Sequence, residues 1–332
     1  VTPPDRTPGA RAPLHDPQGR HIVYLRLSLT DRCNFRCSYC SPGLEAAHGD
    51  VLDRDAIRRL VGVFAQMGIR RVRLTGGEPT LRRDVVEIVR DIHGTPGIEE
   101  IALTTNGHRL AELARPLREA GLRQLNVSLD TFDPARLERL SGRAADVDRI
   151  RTGIAAAAEV GYPSLKLNTV VLRGVNDHEL GDLARFAWSH GAIARYIELM
   201  PFGGGDVVSV SEMQALLAAQ GLSLEPDGTR GWGPARHMRG VSQVGGRELR
   251  GLLGFIGAIT ENFCGDCNRV RVSAAGALRA CLGGRDEIPL VGLLRDGTDD
   301  DVEAAIREGL SRKRDRHHME DESFETMVRI GG

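Results

Sequence analysis

The chain has 332 residues, enough for one large α/β domain with an appendage or for two ordinary domains. Its formal net charge is -1, with 44 Lys+Arg against 45 Asp+Glu, which excludes a general attraction to nucleic acid or to an anionic membrane. It shows no apolar run of roughly 18 residues and no charged-then-apolar leader pattern, so neither a membrane partner nor export is expected, and a cytoplasmic location is.

Residues 1–15 are rich in Pro, Arg and polar residues without periodicity and are expected to form a mobile tail, with order beginning near Asp16. From residue 22, short β-patterned runs alternate with amphipathic helical ones, the pattern of repeated βα units and a parallel sheet. Strands are predicted at 23–29, 70–75, 99–105, 123–129, 164–171 and 194–200. Ile57, Leu60, Val61 and Phe64 follow helical spacing after Asp53, an N-cap residue type, and Gly68 suits the C-terminal cap. Further helices are predicted near 83–93, 109–120, 147–160 and 178–190, with Gly121, Gly161 and Gly191 as stops. Residues 203–250 read as Gly-rich and irregular. After them come an apolar run from Leu252 to Thr260, a hairpin across Ala275 and Gly276, and a helix near 299–313. The predicted division is a barrel over 16–234 and a smaller C-terminal domain over 235–332.

Successive side chains of a strand face opposite sides. Leu25, Leu27 and Leu29 therefore oppose Arg26, Ser28 and Thr30; Val72 and Leu74 oppose Arg73 and Thr75; Leu103 opposes Thr104. Leu125, Val127 and Leu129 oppose Asn126, Ser128 and Asp130, while Leu165 and Leu167 oppose Lys166 and Asn168. In the last strand the same rule sets Ile197 and Leu199 against Glu198 and Met200. The apolar faces suit packing on helices, and the polar faces then need a cavity. A closed eight-stranded barrel fills its lumen with branched apolar residues. Six units with a polar lumen predict an α/β fold with an open, partial (βα)6 barrel around a polar ligand; an ordinary half-exposed sheet is the alternative.

Six cysteines in a chain expected to stay inside the cell argue for metal or redox chemistry over disulfides. Cys33, Cys37 and Cys40 form a C-x3-C-x2-C run directly after the first strand, and Cys264, Cys267 and Cys281 form a second group. Thiolates are the usual ligands of a [4Fe-4S] cluster, and three of them leave one iron open. Structural zinc sites are the competing reading, but these are closed by four ligands. The first group has no fourth Cys or His at finger spacing, and His237 is the one candidate for the second. Arg269 and Arg271, two apart on a predicted strand and so on one side of it, join Arg26, Arg73 and Lys166 as basic groups of a polar cavity. Lys166 stands out because the chain's only lysines are Lys166 and Lys313.

The stretch from Leu25 to Cys40, LRLSLTDRCNFRCSYC, resembles the cluster loop of the radical S-adenosylmethionine (SAM) enzymes, and within them the MoaA family of GTP 3',8-cyclases of molybdenum cofactor biosynthesis. The likeness runs from about Asp16 to Gly331 and Gly332. It implies a radical SAM type barrel, two [4Fe-4S] clusters on the two cysteine groups, and SAM chelating the open iron of the first. It places SAM against Tyr39, Gly77 of the GGEP turn, Ser128 and Met200. It places GTP against Arg26, Arg73, Thr104, Lys166, Arg269, Val270 and Arg271, with the purine at the second cluster. It implies a deoxyadenosyl radical that takes hydrogen from C3' of GTP, after which C3' bonds to C8. The product, (8S)-3',8-cyclo-7,8-dihydroguanosine 5'-triphosphate, would pass to a downstream MoaC-type enzyme. An external electron donor, a homodimer and a Gly331-Gly332 tail reaching the active site are implied too. No side chain is assigned as a general base. The sequence departs from the family at Ser41, where Met is frequent, and in a short 203–211 connection. The alternatives are a radical SAM peptide-modifying enzyme with an auxiliary cluster and a zinc-stabilised binding protein.

Overall fold

A computed structural model describes residues 11–40, 50–202, 205–230 and 233–317. Ser41, Gly203 and Gly204 of the 203–211 connection, and the Gly331-Gly332 tail lie outside the described residues.

Six parallel strands pair in sequence order: β1 Tyr24–Ser28, β2 Arg71–Thr75, β3 Glu100–Thr105, β4 Gln124–Ser128, β5 Ser164–Val171 and β6 Ile193–Glu198. Between them run α1 Arg54–Gln66, α2 Val85–His93, α3 Leu110–Glu119, the pair α4 Pro134–Ser141 and α5 Val147–Val160, and α6 Leu180–Ser189. Parallel neighbours need such crossovers, and their repetition gives the predicted (βα)6 barrel, open at both edges.

Local chemistry starts and stops these elements. The Asp53 carboxylate accepts from the Ala56 N–H at 2.8 Å to open α1, and Gly161 ends α5 at φ 74°, a region that strains any larger residue. Ile57, Leu60, Val61 and Phe64 of α1 share one continuous core with Leu25 and Leu27 of β1 and Val72 and Leu74 of β2. Each large aliphatic buried this way contributes roughly 1.5–3 kcal/mol. A one-residue slip in a strand would send its leucines into the lumen, so the register is firmly set.

The C-terminal third divides between the two edges of the barrel. After α7 Val210–Ala219, strands β7 Leu222–Arg230, β8 Arg236–Val244 and β9 Arg247–Ile256 form an antiparallel meander whose last strand lies parallel to β6. At the other edge, β10 Arg269–Val272 runs parallel to β1 and continues into β11 Ala277–Arg279 and β12 Ile288–Pro289. Helices α8 Val291–Asp296 and α9 Asp299–Ser311 then pack on α1. One twelve-stranded sheet results, in the order β12-β11-β10-β1-β2-β3-β4-β5-β6-β9-β8-β7.

Three expectations need correction. The stretch 203–250 contains α7 and most of a three-stranded meander. Its glycines serve packing: Gly240 and Gly251 are register partners, and a Cβ on either would lie 2.6 or 2.0 Å from the Trp188 indole that crosses them. Trp188 Nε1 donates to the Leu252 carbonyl at 3.0 Å in the same place. A boundary between residues 234 and 235 would cut the β7–β8 hairpin. Order also begins before Asp16, since Leu14 is buried and the backbone N–H groups of Arg11 and Leu14 donate to Gln66 and Met67 carbonyls. Residues 1–10 lie outside the described residues.

Candidate active site

The inward strand faces and the loops at either end enclose a cavity of about 470 Å³, and both cysteine groups line it. Cys33, Cys37 and Cys40 occupy the loop after β1, at the C-terminal ends of the barrel strands. Cys264 and Cys267 precede β10, and Cys281 follows the antiparallel β11. Because Tyr24 of β1 pairs with Arg269 of β10, this second group sits at the opposite end of the lumen. A five-residue strand places the two ends about 16 Å apart. Among the described residues, no three His, Cys, Asp or Glu side chains converge on a single metal ion.

The wall between the two groups is cationic. Arg26, Arg71, Arg73, Lys166, Arg195, Arg269 and Arg271 all line it. Arg73 is held in place by three neighbours: its Nε donates to the Tyr24 hydroxyl at 2.5 Å, Nη1 to Thr104 Oγ1 at 3.1 Å and Nη2 to Gln124 Oε1 at 2.7 Å. Arg195 Nε donates to Asn168 Oδ1 at 2.8 Å. Of the carboxylates nearby, one neutralises a member of this wall and two are engaged by other donors. Arg71 pairs with Glu100. Glu198 accepts from the backbone of Val210, Ile259 and Thr260, and Glu78 from Thr80, Thr105 and the Asn106 N–H.

Burial, then repulsion from Arg195 and Arg73, lowers the Lys166 ammonium to about 7. Burial and Arg73 lower Arg195 to about 9, and burial and Arg269 lower Arg271 to about 10. Arg26 is pushed well down by burial, then by Arg271 and Arg73. Buried cations that repel one another mark a place for a polyanion, whose arrival would relieve both penalties.

At the other end, the GGEP turn clamps the first cysteine loop. The Gly77 and Glu78 N–H groups donate to the carbonyls of Thr30 and Arg32 at 2.7 and 2.8 Å. A Cβ on Gly76 would lie 2.5 Å from the Thr30 oxygen, and one on Gly77 2.3 Å from the Arg32 oxygen, so only glycine permits this approach. Tyr39 donates its hydroxyl to Asp130 Oδ2 at 2.5 Å, and Asp130 Oδ1 accepts from the Val170 N–H at 2.9 Å. Burial raises the Asp130 carboxyl to about 6 against these hydrogen bonds.

Two family profiles cover most of the chain: the Radical SAM superfamily over residues 27–187 and Molybdenum Cofactor Synthesis C over 192–319. A GTP 3',8-cyclase of Heliobacterium modesticaldum is 43% identical, covering 96% of this chain and 99% of its own. A GTP 3',8-cyclase of Moorella thermoacetica is 41% identical over 96% of this chain and all of its own. The chain belongs to the GTP 3',8-cyclase family of radical SAM enzymes. Streptococcus suis SuiB, crystallised with S-adenosylmethionine, shares the fold at a TM-score of 0.61 and 14% identity, over 91% of this chain and 75% of its own.

The residues fit the groups that the GTP 3',8-cyclase family implies. Each end of the cavity presents three cysteines that are in no disulfide, the donor set of an iron–sulfur cluster with one open iron. Burial raises Cys33 to about 12 and also pushes Cys37 well up; burial pushes Cys267 up too, but Arg269 and Lys313 outweigh it and bring that thiol to about 7. Among the described residues, Thr75 Oγ1 and Asn126 Oδ1 are buried on the cavity wall without a hydrogen-bond partner, as polar atoms awaiting a ligand would be.

Of the expected contacts, Tyr39, Gly77, Ser128 and Met200 line the cavity, as do Arg26, Arg73, Thr104, Lys166, Arg269 and Arg271. Val270 is the exception for a side-chain contact: it is fully buried in the core opposite Leu25, and strand alternation directs it away from its two arginine neighbours. The last barrel strand has the opposite parity to the one expected. Arg195 and Ile197 fall in register with Asn168 and Val170 on the lumen wall, while Glu198 is taken up by the loop amides named above. Arg195, Arg71 and Gln124 are therefore site residues that the sequence reading missed. For Arg195 the only signal was a charged residue inside the predicted 194–200 strand, and its parity with Ile197 set it on the face expected to be apolar.

Proposed function

We propose that this member of the family closes GTP to (8S)-3',8-cyclo-7,8-dihydroguanosine 5'-triphosphate, the first step of molybdenum cofactor biosynthesis. The observation that carries this reading is a single cavity with a cysteine triad at each end and a cationic wall between them. When bound by Cys33, Cys37 and Cys40 and by Cys264, Cys267 and Cys281, the clusters and SAM would supply the radical chemistry that side chains cannot.

The chain's own residues bind and orient. Arg26, Arg73, Arg195 and Arg271 offer planar forks to phosphate oxygens, and Lys166 a compact charge. Thr104, already fixed by Arg73 and Asn126, stands beside them as a further nucleotide contact. Gly77, Ser128, Tyr39 and Met200 border SAM, with Gly77 held by the loop it clamps. Anchoring the nucleotide at base and phosphates leaves its ribose little freedom, and such positioning is worth several kcal/mol of barrier. On this reading an external donor provides the electron, a MoaC-type enzyme takes the product, the chain acts as a homodimer, and the compartment is the cytoplasm. A peptide-modifying auxiliary cluster would call for C-terminal cysteines beyond Cys264, Cys267 and Cys281, and the chain has none.

Anaerobic incubation with GTP, SAM and a strong reductant tests the reading by mass spectrometry of the products. Equimolar 5'-deoxyadenosine and cyclised nucleotide is the expected result. Deoxyadenosine with intact GTP would remove the substrate assignment.

A further inference from the structure

Lys313 lies two residues past the end of α9 and is only 3% exposed. Its Nζ donates to the Ala280 carbonyl at 2.5 Å and to the Arg269 carbonyl at 2.8 Å. Ala280 immediately precedes Cys281, and Arg269 lies two residues after Cys267. One ammonium therefore ties together the two separate segments that bring the second triad to the cavity, and it borders that cavity itself. The residues that follow strengthen the tie. Arg20 Nη1 donates to the Cys264 carbonyl at 2.6 Å and to that of Asp315 at 2.9 Å, while Nη2 donates to that of Arg314 at 2.6 Å. The His317 imidazole meets the Ala258 carbonyl at 2.9 Å. Residues 313–317 form a strap across the triad.

Structure alone accounts poorly for a lysine here. An ammonium has three donors, and the two carbonyls use two of them. Among the described residues no carboxylate forms an ion pair with Lys313, and a buried ammonium against neutral carbonyls is costly without a negative neighbour. A thiolate-ligated cluster is such a neighbour. The chain uses arginine at nearly every other basic position, so a lysine donating to these two carbonyls departs from its own habit.

We infer that Lys313 is a positioning residue for the second cluster: it locks the backbone on both sides of the triad, and its charge raises that cluster's reduction potential. The inference rests on the reading that Cys264, Cys267 and Cys281 hold a cluster. Net charge and hydrogen bonding around the sulfurs are the levers a protein has over such a potential.

The test is anaerobic reconstitution of the full chain as wild type, Lys313→Met and Lys313→Arg, with iron and sulfide analysis and an electron-paramagnetic-resonance redox titration. Wild type should bind about eight irons per chain. Lys313→Met should keep the irons of the Cys33 loop and either lose those of the second triad or hold them at a lower potential. Lys313→Arg should recover part of the wild-type potential by restoring the charge. A Lys313→Met protein with wild-type iron content and an unshifted second signal would overturn the inference, and so would equal loss from both triads, which signals general unfolding. Wild type binding only about four irons would remove the second cluster itself, a failure visible before any variant is examined.

Discussion

The Tyr39 hydroxyl donates to Asp130 Oδ2 across 2.5 Å, fastening the loop of the first cysteine triad to the residue two past the end of β4. Leu140, Leu172 and Leu199 pack against Tyr39, so the bond sits at the edge of a small apolar cluster rather than in open water. Tyr39→Phe deletes the donor and leaves a buried carboxylate oxygen unsatisfied, at a cost of about 1.5–3 kcal/mol. Faster loss of iron from the first triad in the presence of a chelator is the expected outcome, with the second triad unaffected. Equal release rates in wild type and variant would leave Tyr39 as mere packing.

With Lys166 at the phosphates as proposed, nucleotide binding is expected to depend on pH. Its ammonium sits near 7 in the absence of ligand because burial, Arg195 and Arg73 all disfavour the charge. A triphosphate favours the charged form and raises that value, so binding above pH 7 takes up a proton. The sign follows directly: affinity for GTP falls as pH rises above 7, by at most about tenfold per pH unit for one proton. Calorimetry between pH 7.5 and 9 in buffers of different ionisation enthalpy measures the uptake. Lys166→Met should bind more weakly and lose this slope, and a slope of unchanged steepness would assign the proton to another group.

Arg195 was absent from the expected site, yet it shares the lumen wall with Lys166. Arg195→Ala removes a charged fork whose hydrogen bonds are worth about 1.5–3 kcal/mol, so GTP affinity should drop roughly 10- to 100-fold with full iron content. Unchanged affinity would show that the guanidinium serves only to orient Asn168.

Gly77→Ala puts a methyl group where the Arg32 carbonyl stands, 2.3 Å away. Backbone must move, and the backbone in question carries Cys33. Iron should fall from about eight to about four per chain after reconstitution, and SAM binding should vanish with it. Retention of both would mean that the loop tolerates a shift of an ångström or more.

Most of the barrel was legible because each of its strands advertises two faces. The leucines at 25, 27 and 29 bury one side of the first strand, and Arg26 and Ser28 can only face the other. The last barrel strand deceived because the two signals conflict there: Glu198 is polar but consumed by loop amides, while Ile197 is apolar but lines the lumen. The meander of β7 to β9 was hidden by the slot its glycines leave for Trp188, a packing partner some 50 residues distant in sequence that no local pattern reveals. The start of α7 is written in the sequence as a capping box. Ser209 and Glu212 form a reciprocal cap, with the Ser209 N–H donating to Glu212 at 2.9 Å and the Glu212 N–H to Ser209 Oγ at 3.3 Å. Neither did sequence spacing disclose that the two triads face each other along one lumen. That depends on β10 pairing with β1, a contact between the two ends of the chain.

The β1–β10 seam also bears on how the molecule is made. After β1 emerges from the ribosome, one of its edges is covered as soon as β2 follows, but the other stays bare until the barrel and meander have been synthesised. An uncovered parallel edge invites mispairing during that interval. Metal loaded early onto the N-terminal thiols would meet a half-built vessel, so cofactor insertion is best timed to the arrival of the closing strand.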